Sequence, residues 1–195
     1  MHSEHLAIIA AISESSHKIN HVLEIGTYDG RAATILADLF PDATITTIDL
    51  PNADSDFSST YHRDNDAASF IKKRDNLLSK SKNIQFLQMN SLGLANFKDS
   101  FDLIWIDGAH GYPVVSMDVI NSYRLCNQNG FVLIDDVWIN PEESDQFYKS
   151  IGAFQSLSSL KDANLIEDFT LFYKRLGGQY NTPWEKKFIG FFRKQ

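Results

Sequence analysis

A chain of 195 residues, 43% hydrophobic and 22% charged, has the balance of one globular domain with room for a full α/β core. Its formal net charge of −7 excludes a nucleic-acid groove as its main business, because neutralising phosphates needs clustered Lys and Arg. The apolar run Leu6–Ile12 is far too short to cross a bilayer and lacks the flanks of a signal peptide; a lone cysteine, Cys126, excludes an internal disulfide framework and fits a reducing, cytoplasmic setting.

Ser3–Lys18 reads as a helix with Leu6, Ile9 and Ala10 along one face. It leads into a short buried strand, Val22–Ile25, and then a loop with glycines at 26 and 30. Arg31–Phe40 is helical, closed by Pro41-Asp42, and the β-branched run Ala43–Ile48 is the second strand, ending in Asp49. A strand, a glycine turn and a helix in this order open a βαβ nucleotide-binding unit. Leu50–Asp66 is the least regular stretch, a long loop past a strand's carboxyl end where ligand-covering loops sit. Helical spacing returns over Ala67–Lys80, followed by strands at Asn83–Gln88 and Phe101–Ile106, a helix over Val114–Cys126, an Asn-Gln-Asn-Gly turn and a strand at Phe131–Ile134. Beyond Asp145 the pattern predicts a helix to about Leu160 and one or two strands within Leu165–Leu176. Residues 177–183 read as a linker, and Trp184, Phe188, Phe191 and Phe192 fall at helical spacing in a basic amphipathic tail that could cover the sheet, pair two subunits or touch a membrane surface. The alternation predicts a single domain over residues 1–195: a mostly parallel sheet with helices on both faces.

In such a sheet ligands bind past the carboxyl ends of the strands. Those ends carry Gly26–Gly30, Asp49, Asn90-Ser91, Asp107 and Asp135-Asp136. The loop Gly26-Thr27-Tyr28-Asp29-Gly30 lacks the central glycine of a dinucleotide fingerprint and places an acid where a pyrophosphate would lie. A ligand bearing both a carboxylate and an ammonium suits it better: the carboxylate at the amides that open the Arg31 helix, the ammonium towards nearby acids. Asp49 can accept from a ribose diol, and Asn90-Ser91 can meet an adenine edge. Together these demands describe S-adenosylmethionine (SAM).

The motifs LEIGTYDG, TTIDL, WIDGAH and LIDDV, in order at strand ends, resemble the class I SAM-dependent methyltransferases from about His21 to Val137. Within that superfamily they resemble the small-molecule O-methyltransferases related to catechol and caffeoyl-CoA O-methyltransferases. They resemble still more the antibiotic-tailoring, cephalosporin-hydroxylase-like branch with its DG-x-H-x-Y segment, here Asp107–Tyr112. The resemblance implies a Rossmann-like sheet of seven strands. It assigns Glu24, Gly26, Thr27, Tyr28, Gly30, Asp49, Asn90, Ser91 and Asp107 to the cofactor.

Strands four and five would lie about 4.8 Å apart, so Asp107, Asp135 and Asp136 should converge. Like charges that close raise a pKa unless a cation sits among them, and an all-oxygen set favours Mg²⁺, with Ca²⁺ or Mn²⁺ as alternatives. The catechol-type resemblance implies the same three positions as metal ligands. His110 stands where those enzymes carry a lysine base, and a histidine can take a hydroxyl proton near neutrality. Asp107 and His110 are therefore the expected catalytic pair. The other histidines, His5 among them, read as surface or loop residues. The reading that follows is metal-assisted O-methylation of a small hydroxylated metabolite. The competing readings are a nicotinamide-dependent oxidoreductase and a SAM-binding protein without turnover.

Overall fold

The computed structural model describes residues 1, 3–60, 66–145, 147–174 and 187–195. Among them run α1 (Ser3–Ser13), β1 (His21–Ile25), α2 (Arg31–Leu39), β2 (Thr44–Asp49), α3 (Ser55–Ser59), α4 (Ala67–Leu78) and β3 (Ile84–Gln88). They are followed by a 3-10 turn (Ser91–Asn96), β4 (Phe101–Ile106), α5 (Val114–Leu125), β5 (Cys126–Trp138), α6 (Gly152–Asp162), β6 (Thr170–Tyr173) and β7 (Lys187–Arg193).

The described strands form a seven-stranded sheet in the order β3-β2-β1-β4-β5-β7-β6. The first five pair in parallel, with Val22 opposite both Ile45 and Leu103. Only β7 runs against its neighbours, β5 and β6. The chain winds outwards from β1 in one direction and from β4 in the other, so the crevice between their carboxyl ends is the topological switch point. Strand bodies bury both faces. Leu23, Ile25, Ile104 and Ile134 pack with Val115, Val119 and Leu157 of α5 and α6 on one side. On the other, Val22, Ile45, Leu103 and Leu133 pack with Ile9, Ile12 and Leu36 of α1 and α2. This double burial explains near-continuous apolar strands rather than alternating ones.

Several elements differ from the sequence reading. The buried face of α1 is His5, Ile9 and Ile12, an i, i+4, i+7 stripe, while Leu6 is largely exposed. Strand β5 is much longer than Phe131–Ile134. The Asn-Gln-Asn-Gly segment is not a separate turn but an irregularity inside the strand, with Asn129 at φ +66°. The helix expected from Asp145 begins only at Gly152, because Asp145 folds the preceding loop by accepting the Phe147 and Tyr148 amides.

The largest correction is the tail. Lys187–Arg193 is a strand in the interior of the sheet, with Ile189 and Phe192 fully buried. A strand covered on both faces is apolar at every position, and aromatic residues then fit a 3.6-residue period as well as a 2-residue one. Phe188, Phe191 and Phe192 are thus spent on this chain's own core; Trp184 and the 177–183 linker lie outside the described residues. The long loop after β2 is also better anchored than its composition implied. Asp54 caps α3, whose Phe57 is buried against the Arg74 guanidinium, which also stacks over Phe86.

Candidate active site

A cavity of about 510 Å³ opens at the switch point, within the usual size of small-molecule sites. Gly26, Thr27, Tyr28, Asp49, Asn90, Ser91 and Asp107 all line it, so residues from four strand ends meet in one hollow. Gly30 and Glu24 support it from behind. At Gly30 (φ +83°) a Cβ would meet Leu78 of α4, and at Gly26 (φ +102°) a Cβ would lie 2.2 Å from the Asp107 carbonyl oxygen. Gly26 is therefore demanded by the approach of the β1 loop to the end of β4, whether or not a ligand is bound.

Asp49 is held by two backbone amides, Tyr28 N–H on Oδ2 and Leu50 N–H on Oδ1, each at 2.8 Å. These bonds fix its carboxylate at the cavity wall. Asn90 accepts the Leu92 amide through Oδ1, which leaves its NH₂ group as a donor. Asp29 folds back onto α2, accepting the Arg31 amide and pairing with the Arg31 guanidinium. One of the amides expected to receive a ligand carboxylate is thus already occupied.

Glu24 is completely buried beneath the loop, and that burial pushes its carboxyl up to about 8, with Thr47 opposing. Thr47 donates to Glu24 Oε2 at 2.5 Å, which leaves the Thr27 hydroxyl to donate to Thr47 at 2.6 Å. Glu24 Oε1 has no hydrogen-bond partner among the described residues. The row Thr27–Thr47–Glu24 makes a buried polar layer beneath the crevice.

The far side is ionic. Asp107 lines the cavity with its side chain about a quarter exposed. Burial first, then the Asp135 carboxylate, hold its carboxyl well above the ordinary range. His110 Nε2 lies 3.7 Å from Asp107 Oδ1, too long for a hydrogen bond, and Nδ1 has no partner among the described residues. Burial lowers the His110 pKa, with Asp136 and Asp135 offsetting part of the effect, so the ring stays neutral near neutrality. Its backbone is tied to the 147–150 loop: the His110 amide donates to Phe147 O and the Ser150 hydroxyl donates to His110 O.

Asp135 and Asp136 sit where the β5–β7 pairing loses register, and Asp136 has φ +46°. Such an irregularity re-aims side chains at a sheet end. Asp135 Oδ1 meets His5 Nε2 at 2.9 Å and Lys174 Nζ at 2.6 Å. Asp136 is bridged by two ammoniums, Lys174 at 2.5 Å on Oδ1 and Lys187 at 2.6 Å on Oδ2. Burial opposes ionisation at both acids. At Asp135 the His5 hydrogen bond and Lys174 outweigh it, and at Asp136 the facing cationic groups do, so both carboxyls lie below their usual range. Burial likewise opposes charge on Lys174, but the two aspartates hold its ammonium above the ordinary lysine range.

Ligand atoms that do converge within 4.8 Å of one another belong to Asp107, His110 and Asp135. Asp136, expected as a metal ligand, stands outside that set and is saturated by lysines. His5 and Lys174 already hold the Asp135 carboxylate through Oδ1, and the convergent set includes an imidazole, so these residues do not fit the all-oxygen centre that the sequence implied.

Sequence reasoning missed His5, Lys174 and Lys187. For His5 a signal existed, since it shares the 5, 9, 12 stripe with two isoleucines. For the lysines none did: nothing local to Lys174 or Lys187 reports two aspartates on a strand far away in the chain.

The fold is that of the class I methyltransferases. The chain belongs to a family of methyltransferase domains, matched over residues 23–137. It is similar in structure to the O-methyltransferase TomG of Streptomyces achromogenes, involved in tomaymycin synthesis and solved with SAM. That likeness has 15% identity and a TM-score of 0.66, covering 100% of this chain and 82% of that one. It is also similar to the N-methyltransferase NodS of Bradyrhizobium japonicum (16% identity, TM-score 0.60, 98% and 94% covered). A third likeness is to a Staphylococcus aureus protein assigned as a caffeoyl-CoA O-methyltransferase (18%, 0.60, 100% and 85%). No curated protein matches the chain in sequence. Among the described residues no helix is long and apolar enough to cross a membrane.

Proposed function

We propose that the chain transfers the methyl group of SAM to a hydroxyl oxygen of a small metabolite. One observation carries this reading: the cavity at the switch point gathers Gly26–Tyr28, Asp49, Asn90-Ser91 and Asp107 around a single hollow of about 510 Å³. In it the ribose diol meets Asp49 and the adenine edge meets Asn90 and Ser91. The aminoacyl end lies at the Gly26–Gly30 loop, over the Thr27–Thr47–Glu24 floor. Nucleotides carrying a pyrophosphate are disfavoured by Asp29, which already occupies the start of α2.

The acceptor oxygen approaches at the Asp107 side. Its proton passes to His110, which stands neutral and buried beside Asp107. The oxygen forms its bond to the methyl carbon as the carbon–sulfur bond breaks, leaving S-adenosylhomocysteine. Holding donor and acceptor in line supplies much of the rate. Oxygen is preferred to nitrogen because the site places a proton acceptor at the end of the cavity. An amine, the other acceptor class among the structural likenesses, already carries its lone pair once neutral.

The test is incubation with methyl-labelled SAM and a panel of phenolic, aliphatic-hydroxyl and amine acceptors. Label should move to hydroxylated members. Tight SAM binding with no transfer to any member would instead favour a binding protein, and binding of NAD in place of SAM an oxidoreductase.

A further inference from the structure

The ion cluster behind Asp107 gathers three carboxylates, Asp107, Asp135 and Asp136, from the ends of two adjacent strands. A cluster of this kind requires positive charge, and the described residues supply it from within the chain. Lys174 follows β6 and is only 4% exposed, and its Nζ touches Asp135 and Asp136 at 2.6 and 2.5 Å. Lys187 opens β7 and closes the remaining Asp136 oxygen at 2.6 Å. Its ammonium also rests 4.9 Å above the Trp138 ring, and that of Lys149 lies 5.3 Å from the same ring. His5 completes Asp135 from the opposite face of the sheet, its own ring set edge-on against Trp105 at 4.9 Å. The distances are those of short, charge-assisted hydrogen bonds. Every element of the cluster is fixed: β6 and β7 pair with each other, β7 pairs with β5, and α1 is packed on Trp105.

We propose that Lys174, supported by Lys187, is the resident cation of this cluster, so that SAM binding and methyl transfer proceed with no divalent metal. The proposal rests on the methyltransferase reading only for the words methyl transfer; the cation's identity follows from the cluster itself. Lys174 is a positioning residue. It orients Asp135, which in turn borders Asp107 and His110. A small dication bound at Asp107, His110 and Asp135 would share the Asp135 carboxylate with the Lys174 ammonium, so the two cations would compete for one anion.

This makes the metal affinity of the site a function of one residue. Removing the ammonium should create a dication site where the native chain has none, an outcome that a merely structural lysine would not produce. The experiment uses Mn²⁺ as the probe, followed by its electron paramagnetic resonance signal and by thermal melting, on the full chain and on Lys174→Met and Lys174→Ala. We expect the native chain to leave the Mn²⁺ signal and its own Tm unchanged. Both variants should melt earlier, regain much of the lost Tm with Mn²⁺ or Mg²⁺, and quench the free-ion signal; Asp135→Asn added to Lys174→Met should abolish that gain. Mn²⁺ binding by the native chain, lost on Asp135→Asn, would overturn the proposal. So would folded variants with no gain in Mn²⁺ binding. If neither variant folds, the native-chain titration alone decides. A parallel titration of SAM in EDTA separates the two readings. Absence of SAM binding in both EDTA and Mg²⁺ removes the methyltransferase reading but leaves the lysine assignment standing, whereas SAM binding only with Mg²⁺ overturns the lysine assignment.

Discussion

The two sides of the active-site crevice are built on different principles. On the β1–β2–β3 side the polar groups are local: Asp49 is fixed by amides of its own and the preceding loop, Asn90 by the amide of Leu92, and Thr27 by Thr47 on the next strand. On the β4–β5–β7 side they are remote in sequence. Asp135 and Asp136 are held by His5 from α1 and by Lys174 and Lys187 from the last two strands. The first side is a loop system shaped to receive a ligand. The second is a buried ionic network whose charges already satisfy one another. Binding is accordingly assigned to one side and proton handling to the other, and substitutions on each should move different observables.

The sharpest way to break this division is His110. His110→Ala should lower methyl transfer by roughly 100- to 10,000-fold, the usual worth of a positioned proton acceptor, with SAM affinity unchanged in calorimetry. Equal losses of binding and turnover would erase the distinction between the sides. Next in size is Lys174→Ala, which strands two buried carboxylates and should cost about 3–5 kcal/mol of stability, read by denaturant unfolding. On the other side, Asp49→Ala removes the acceptor of two charge-assisted bonds to the ribose. It should weaken SAM by about 100-fold, and losing the Tyr28 and Leu50 amide bonds should cost about 1–3 kcal/mol of stability.

The smallest effect sharpens the comparison through pH. Asp118 of α5 is fully buried beside Gly108, and burial pushes its carboxyl up to about 7. The Ser91 hydroxyl opposes the shift in part, although neither carboxylate oxygen has a partner of hydrogen-bond geometry among the described residues. A folded-state pKa above the unfolded value of 3.8 means that the stabilising contribution is complete below that value and is lost as pH rises through 7. Glu24 acts in the same direction up to about 8. Asp118→Asn should therefore flatten part of the decline in stability between about pH 4 and pH 7, read by denaturant unfolding across that range. An unchanged pH profile would show that Asp118 is ionised and solvated.

The same division explains what could be read from the sequence. The β1 loop, Asp49, Asn90-Ser91 and Asp107 are each adjacent to a strand whose apolar run announces it, so the lining of the crevice is legible residue by residue. The aspartate pair was legible too, but its partners were not. Lys187 lies in a segment whose aromatic spacing fits a helix, and becomes a ligand of Asp136 only because that segment is an interior strand. Lys174 stands just past a short strand, with no pattern to set it apart from a solvated lysine. His5 was obscured by choosing Leu6 rather than Ile12 for the buried face of α1. Long-range charge pairing has no local signature, so the lysines beside Asp135 and Asp136 leave no trace in the neighbouring sequence.

The central claim is that the crevice is a SAM site. Calorimetric titration of the full chain with SAM, S-adenosylhomocysteine and NAD, each in EDTA, tests it directly. The account predicts one-to-one binding of SAM and S-adenosylhomocysteine, weakened by Asp49→Ala, and no heat from NAD. Binding of NAD with none of SAM would contradict it.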